Sequence, residues 1–350
     1  MRGKAFNRSY FVIGWIQLYN EKNEVLSMAM RNLELKNFTV FNDITLHAGS
    51  GVNVIIGDNG TGKTHLMKIL YAALLNGEAY LELNPNLPDK DHLLNLNSTG
   101  QEDINFILDN FFGIHPKDID TEEDFDLTIA VSKISTPIFI PAKEMLSMTK
   151  MRFIYDTYSN DFPIDYTLID IIKKAQALKP NNPPVLAKEI APILENIIDG
   201  TVFMKDDGTF WVRKHNNMEI PFNMESEGFR KLGLLWQLIM NESIKEGTVL
   251  LWDEPEANFN PKLTPVIVDI LFSLARQGVQ VFLATHDYTF AKYFEIRRKE
   301  DDCLQFHSLY KTDDGVKVET GDNFKDLDEN VILSSLDKLM DEVISGNMGD

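Results

Sequence analysis

Gly57-Asp58-Asn59-Gly60-Thr61-Gly62-Lys63-Thr64 carries the densest chemistry in the chain, matching the spacing G-x-x-x-x-G-K-[ST] in full. The glycines let the backbone fold around an anion with its N–H groups turned inward, at a helix N-terminus whose dipole adds attraction. In such a loop Lys63 reaches the β- and γ-phosphates of a nucleoside triphosphate, and the Thr64 hydroxyl is a ligand for Mg2+. His65, next in the chain, completes the expected nucleotide-binding set. The second half of the chemistry is Val249-Leu-Leu-Trp252-Asp253-Glu254, four apolar residues ending in two acids. Asp253 would hold the metal, directly or through water. Glu254 would act as general base or polariser of the attacking water.

These groups need elements to present them. Val52-Asn-Val54-Ile55-Ile56 is a short β-branched run of the kind buried in a sheet, and helical spacing follows from Thr64 to Asn76. The order is strand, phosphate loop, helix. Thr248–Trp252 and Val279–Ala284 read as further buried strands, separated by an amphipathic helix, Thr264–Arg276. Extended segments are also expected at Leu33–Phe41, Ile44–His47, Leu127–Val131 and Ile138–Ile140. A mostly helical stretch over 143–199 is broken by Lys179-Pro-Asn-Asn-Pro-Pro184. Two apolar runs around Asp206-Asp-Gly208 predict a hairpin over 201–213, and Val331–Ile344 a last helix.

Composition narrows the classes. The chain has 350 residues, 44% hydrophobic and 25% charged, which excludes a wholly disordered or fibrous protein. Its net charge of -19 repels a phosphate backbone on average, so any nucleic-acid contact requires a local basic patch. Lys143, Lys150, Arg152, Lys173 and Lys174 are the cluster to nominate. The single cysteine, Cys303, fits a reducing cytosol, and no apolar run approaches the roughly 18 residues of a membrane span. Residues 1–27 are expected to be a leader or an upstream start-site extension. Residues 89–126 hold 11 acids against Lys90 and Lys117 and are expected to form a partly loop-rich surface segment.

The sequence after Glu254 narrows the class further. Pro255-Glu-Ala-Asn-Phe-Asn260-Pro261 and Thr285-His286-Asp287 resemble ATP-binding cassette (ABC-type) ATPases, where a D-E-P turn, a D-loop and a switch histidine follow in this order. The resemblance implies that Asn260 occupies the D-loop acid position and that His286 senses the γ-phosphate, which a neutral imidazole can do. Glu225-Ser226-Glu227-Gly228-Phe229-Arg230-Lys231 resembles a degenerate L-S-G-G-[QE] signature with Ser226 and Gly228 retained. Ser226 can cap the helix that follows. In that superfamily the helix N-terminus binds the γ-phosphate held by the opposite subunit.

The S-x-G signature and D-E-P-E are most similar to the soluble RecF, Rad50 and OLD branch, often labelled AAA-family ATP-binding proteins. Ile138-Phe-Ile-Pro141-Ala-Lys143-Glu144 is similar to a stretch of ATPase components of bacterial phage-defence systems. Where the superfamily has a Q-loop glutamine, this chain offers Lys143 and Glu144.

The expected fold is therefore α/β: a P-loop NTPase of the ABC type, with a central mixed sheet and an inserted, mostly helical lobe. Residues 28–76 and 241–350 would form the nucleotide-binding core, and 77–240 the lobe, with the signature at 225–231. The resemblance implies a cytoplasmic ATP hydrolase using ATP and Mg2+, at least a dimer on ATP binding, that regulates a separate effector. A DNA-binding ATPase of recombinational repair is the alternative, and a transporter cassette is disfavoured.

Overall fold

Strands that must be buried on both faces read as unbroken apolar runs, and three such runs form the middle of the protein. The computed structural model describes residues 17–18, 30–83, 92–97, 111, 126–131, 136–158 and 165–347. Its strands are β1 (Gln17–Leu18), β2 (Met30–Phe38), β3 (Phe41–His47), β4 (Val52–Gly57), β5 (His92–Asn97), β6 (Asp126–Val131) and β7 (Pro137–Ile140). The remainder are β8 (Gly200–Met204), β9 (Phe210–Lys214), β10 (Glu219–Pro221), β11 (Val249–Asp253), β12 (Gln280–Thr285), β13 (Leu304–Thr312) and β14 (Gly315–Gly321). The helices are α1 (Lys63–Leu83), α2 (Met151–Tyr158), α3 (Tyr166–Ala175), α4 (Val185–Ile198), α5 (Glu227–Met240), α6 (Thr264–Arg276), α7 (Tyr288–Arg297) and α8 (Val331–Asn347).

A six-stranded sheet runs in the order β14-β13-β4-β12-β11-β7. All neighbours are parallel except the β13–β14 pair, so the sheet is mixed as expected. Alternate residues of the central strands feed two cores. Ile55, Leu251, Phe282 and Phe139 face α1, whose other side meets Leu33, Leu35 and Phe41 of a second, antiparallel sheet. That sheet has the order β1-β5-β6-β2-β3. Val54, Ile56, Leu250, Trp252 and Leu283 face the opposite core, shared with α3 to α7.

Several sequence expectations change here. Within residues 77–240, β7 pairs with β11 and is an edge of the central sheet. Helices α3, α4 and α5 also contribute to the same apolar core as β4 and β12. A shift in composition marks where a chain meets solvent, whereas sheet membership is set by pairing that composition does not reveal. The helix after the phosphate loop runs to Leu83 rather than Asn76. The hairpin is present as β8 and β9, and β10 adds an unforeseen third strand. Within the acidic segment, His92–Asn97 is a strand paired antiparallel with β6. The remainder of 89–126 lies outside the described residues, except Phe111 and Asp126, and so does the leader, except Gln17 and Leu18.

Candidate functional site

Parallel register decides which residues meet. Ala284 of β12 stands beside both Ile55 of β4 and Asp253 of β11, and Thr285 stands beside Ile56. Each strand then ends at its carboxyl edge, where Gly57 opens the phosphate loop, Glu254 opens a turn, and His286 follows. Groups far apart in sequence therefore leave the sheet at one level, the edge at which open α/β sheets bind ligands.

The loop itself needs glycine. Gly62 has φ 85°, and a β-carbon there would lie 2.7 Å from both Phe41 and Val40 side chains. Gly57 is pressed against Leu309, whose carbonyl would sit 2.6 Å from an added β-carbon. Thr61 Oγ1 donates to the Asp58 carbonyl at 2.9 Å, tightening the turn through Asp58, Asn59 and Gly60, which are exposed. Lys63 Nζ donates to the carbonyls of Gly57 and Asp58 at 2.7 and 2.9 Å. Burial lowers the Lys63 pKa, opposed by Glu254 and Asp253 nearby. Burial likewise lowers that of His65, on the first turn of α1. A buried ammonium held only by neutral carbonyls is poised to take anionic oxygens in their place.

Thr64 Oγ1 donates to Asp253 Oδ2 at 2.8 Å, joining α1 to β11. Burial pushes the Asp253 carboxyl up, against the Thr64 hydrogen bond. A hydroxyl and a desolvated carboxylate form a hard oxygen pair, which suits Mg2+ completed by phosphate and water. Among the described residues there is no group of three or more His, Cys, Asp or Glu able to hold a metal unaided. Glu254 takes φ 44°, a strained conformation for a side chain with a β-carbon, and its N–H donates to the Ala284 carbonyl at 2.9 Å. His286 Nδ1 lies 3.1 Å from Glu254 Oε1. Thr64, Asp253, Glu254 and His286 are thus assembled around one edge.

The signature stretch meets the same turn from another direction. Ser226 caps α5, its hydroxyl accepting from Phe229 N at 3.4 Å. A β-carbon on Gly228 would stand 2.8 Å from the Asn258 carbonyl and 2.9 Å from the Phe259 ring. Lys231, 1% exposed, donates to the carbonyls of Glu254 and Ala257 at 3.1 and 3.0 Å. Burial lowers its pKa, opposed by surrounding acids. No role follows for Lys231 from the motif alone, but its spacing from Gly228 and Leu235 puts it on the buried face of α5.

Two expected substitutes behave differently. Glu144 is buried, and its carboxylate accepts from the backbone N–H groups of Leu146 and Ser147. It also lies 3.5 Å from Arg230 Nε. Its oxygens are therefore committed to a turn and to α5, not to Thr64 or Asp253. Lys143 is exposed. Asn260 is exposed and caps a short 3-10 turn, its side chain accepting from Lys262 N at 3.0 Å. Sequence reasoning also left Glu256 and Thr285 without a role, although Glu256 stands inside the D-E-P-E run. Thr285 Oγ1 donates to Glu256 Oε1 at 2.5 Å.

The chain is similar to several known proteins. The family model described as "AAA domain, putative AbiEii toxin, Type IV TA system" matches residues 52–291, more than half of the chain. The DNA replication and repair protein RecF of Pediococcus pentosaceus is 43% identical over 44 residues, 13% of this chain. The RecF protein of Clostridium novyi is 46% identical, also over 44 residues. Each match spans 12% of the relative's length. Two solved structures are similar at low identity. The SmcHead bound to the C-winged helix domain of ScpA has TM-score 0.48 and 13% identity, covering 85% of this chain and 98% of that one. The SMC head domain from Thermotoga maritima has TM-score 0.44 and 14% identity, covering 85% and 100%.

Proposed function

The chain belongs to the AAA-domain family that it matches over residues 52–291, and from this premise we propose that it binds and hydrolyses ATP. The observation that carries the reading is the convergence of Thr64–Asp253 and Glu254–His286 on the edge of β4, β11 and β12. In this reading the backbone of residues 57–63 and the Lys63 ammonium bind the β- and γ-phosphates. Thr64 and Asp253 would hold Mg2+, which would neutralise phosphate charge. Glu254 orients a water for in-line attack and takes its proton, and His286 steadies Glu254 and the γ-phosphate.

Half a site cannot satisfy every oxygen of a triphosphate. Ser226 and the α5 N-terminus are proposed to complete the site of a second copy, so that ATP binding joins two chains and hydrolysis releases them. The test is ATP turnover and binding in two variants. Lys63→Ala is expected to abolish ATP binding by calorimetry. Glu254→Gln is expected to bind ATP while losing turnover by about 100-fold or more. Full affinity in the first, or undiminished turnover in the second, would refute the assignment.

For the role of the cycle, we favour a cytoplasmic regulator of a separate effector, in keeping with the toxin–antitoxin wording of the family description. The short RecF similarity supports a second reading, a DNA-dependent ATPase. The basic cluster gives that reading limited support. Arg152 is bound to Gln176, and Lys174 to Asp170 and the Pro137 carbonyl. Lys173 sits over the Tyr155 and Tyr166 rings. Lys143 and Lys150 are exposed. Among the described residues, no helix is long and apolar enough to cross a membrane.

A further inference from the structure

We propose that Glu256 is a positioning residue for hydrolysis, its carboxylate pinning the strand end that carries His286 onto the turn that carries Glu254. The inference deepens the ATPase reading and rests on it. Its basis is a chain of hydrogen bonds. Asp287 N donates to Thr285 Oγ1 at 3.0 Å, and Thr285 Oγ1 donates to Glu256 Oε1 at 2.5 Å. His286 lies between the two residues so fixed.

The other end of the clamp is equally tied down. Phe259 N donates to the Glu256 carbonyl at 3.0 Å, and Ala257 N to that of Glu254 at 3.1 Å. The 254–259 turn therefore closes on itself, and Glu254 N ties it back to β12 through the Ala284 carbonyl. Two cross-links then run side by side between turn and strand end, Glu254 to His286 and Glu256 to Thr285. The first involves half-exposed groups. The second is desolvated: Thr285 is fully buried, and Glu256 Oε2 is buried without a hydrogen-bond partner. Leaving a carboxyl oxygen unpaired in such a place is unfavourable, so Glu256 holds its position at a cost in solvation. Burial also raises the Glu256 pKa, consistent with an acid placed for geometry rather than for charge.

The test compares Glu256→Ala, Glu256→Gln, Thr285→Val, Thr285→Ser and the Glu256→Ala/Thr285→Val double variant with the wild type. Turnover, affinity for a non-hydrolysable ATP analogue, and the His286 imidazole NMR signal are read in each. Glu256→Ala is expected to lower kcat about tenfold or more, because a small misplacement of a catalytic group is costly. Its analogue affinity should stay within about threefold of wild type, since the phosphate loop is untouched. Glu256→Gln and Thr285→Ser, which keep the acceptor and the hydroxyl, should restore most of the rate. The double variant should be no worse than either single one.

The proposal is overturned if Glu256→Ala retains kcat within about twofold of wild type. It is equally overturned if rate and affinity fall together, or if Gln is no better than Ala. Should Glu256→Ala fail to fold, Thr285→Val against Thr285→Ser decides the same question. If the wild-type protein hydrolyses no ATP, the ATPase reading fails instead. The His286 signal then decides alone: a shift in Thr285→Val that Thr285→Ser reverses supports the clamp, and an unmoved signal overturns it.

Discussion

Single residues in this site are held where solvent would not leave them. Glu256 is the clearest, its carboxyl pushed up to about 7 by burial, against the Thr285 hydrogen bond. An unfolded glutamate releases its proton near 4.3, so between that pH and 7 the folded protein holds a proton the unfolded chain has lost. Stability contributed by this group therefore falls as pH rises through that window, and the full penalty is present above it. Glu256→Gln removes the penalty. It should raise unfolding free energy by about 1–3 kcal/mol at pH 8 and change little at pH 4, measured by denaturant titration at both pH values.

His307 works in the opposite sense. Its ring is fully buried between Thr320 Oγ1 and Asn53 Oδ1, and burial lowers its pKa to about 3. The native state keeps it neutral while the unfolded chain takes up a proton below about 6.5. Its contribution to stability is therefore lost as pH falls from there toward 3. Where the two windows overlap, the contributions of Glu256 and His307 change with pH in opposite directions.

At the scale of elements, α5 and the 254–259 turn form one contact unit, and Gly228 shows why. In an isolated helix, alanine is favoured over glycine by about 1 kcal/mol. Here a β-carbon would press on the Asn258 carbonyl and the Phe259 ring at 2.8 and 2.9 Å. A backbone oxygen cannot turn aside as a flexible side chain can, and overpacking costs about 1–3 kcal/mol. The steric term wins, so Gly228→Ala is expected to destabilise despite its better helix propensity. Thermal unfolding would show it, and a raised melting temperature would contradict the close approach. Because the same turn carries Glu254, turnover should fall along with stability.

Taken whole, the molecule carries a net charge of -19, so two copies repel until a ligand supplies shared contacts. ATP is expected to raise the mass of the Glu254→Gln protein to at least that of a dimer on sizing, and added salt to favour that species. An unchanged mass would contradict the two-copy site. The effector and DNA readings separate through turnover measured with and without duplex DNA across a salt series. Strong stimulation that fades with salt favours the DNA reading, and indifference favours the effector.

Much of this was legible in the linear chain. The phosphate loop, the Asp253-Glu254 pair, the helix Thr264–Arg276 and the last helix all rest on local properties. These are glycine's freedom, apolar periodicity, and acids at the end of a buried run. What escaped depended on partners distant in sequence. Glu144 stood at the Q-loop position by resemblance, and its ion pair with Arg230, 86 residues on, could not be read from the chain. Lys231 carried no role in the signature stretch, because its carbonyl partners on the Glu254 turn lie 23 and 26 residues away.

The sequence by itself determined which residues are available for the proposed chemistry, because a phosphate loop and a strand-end acid pair are written in contiguous residues. Only the tertiary structure decided how that chemistry is assembled. Placing Gly57, Glu254 and His286 at one level required the parallel register of β4, β12 and β11. Register, the burial of Lys231 and Glu144, and the partial burial of Glu256 arise from pairing and packing between segments far apart along the chain, where local spacing carries no information.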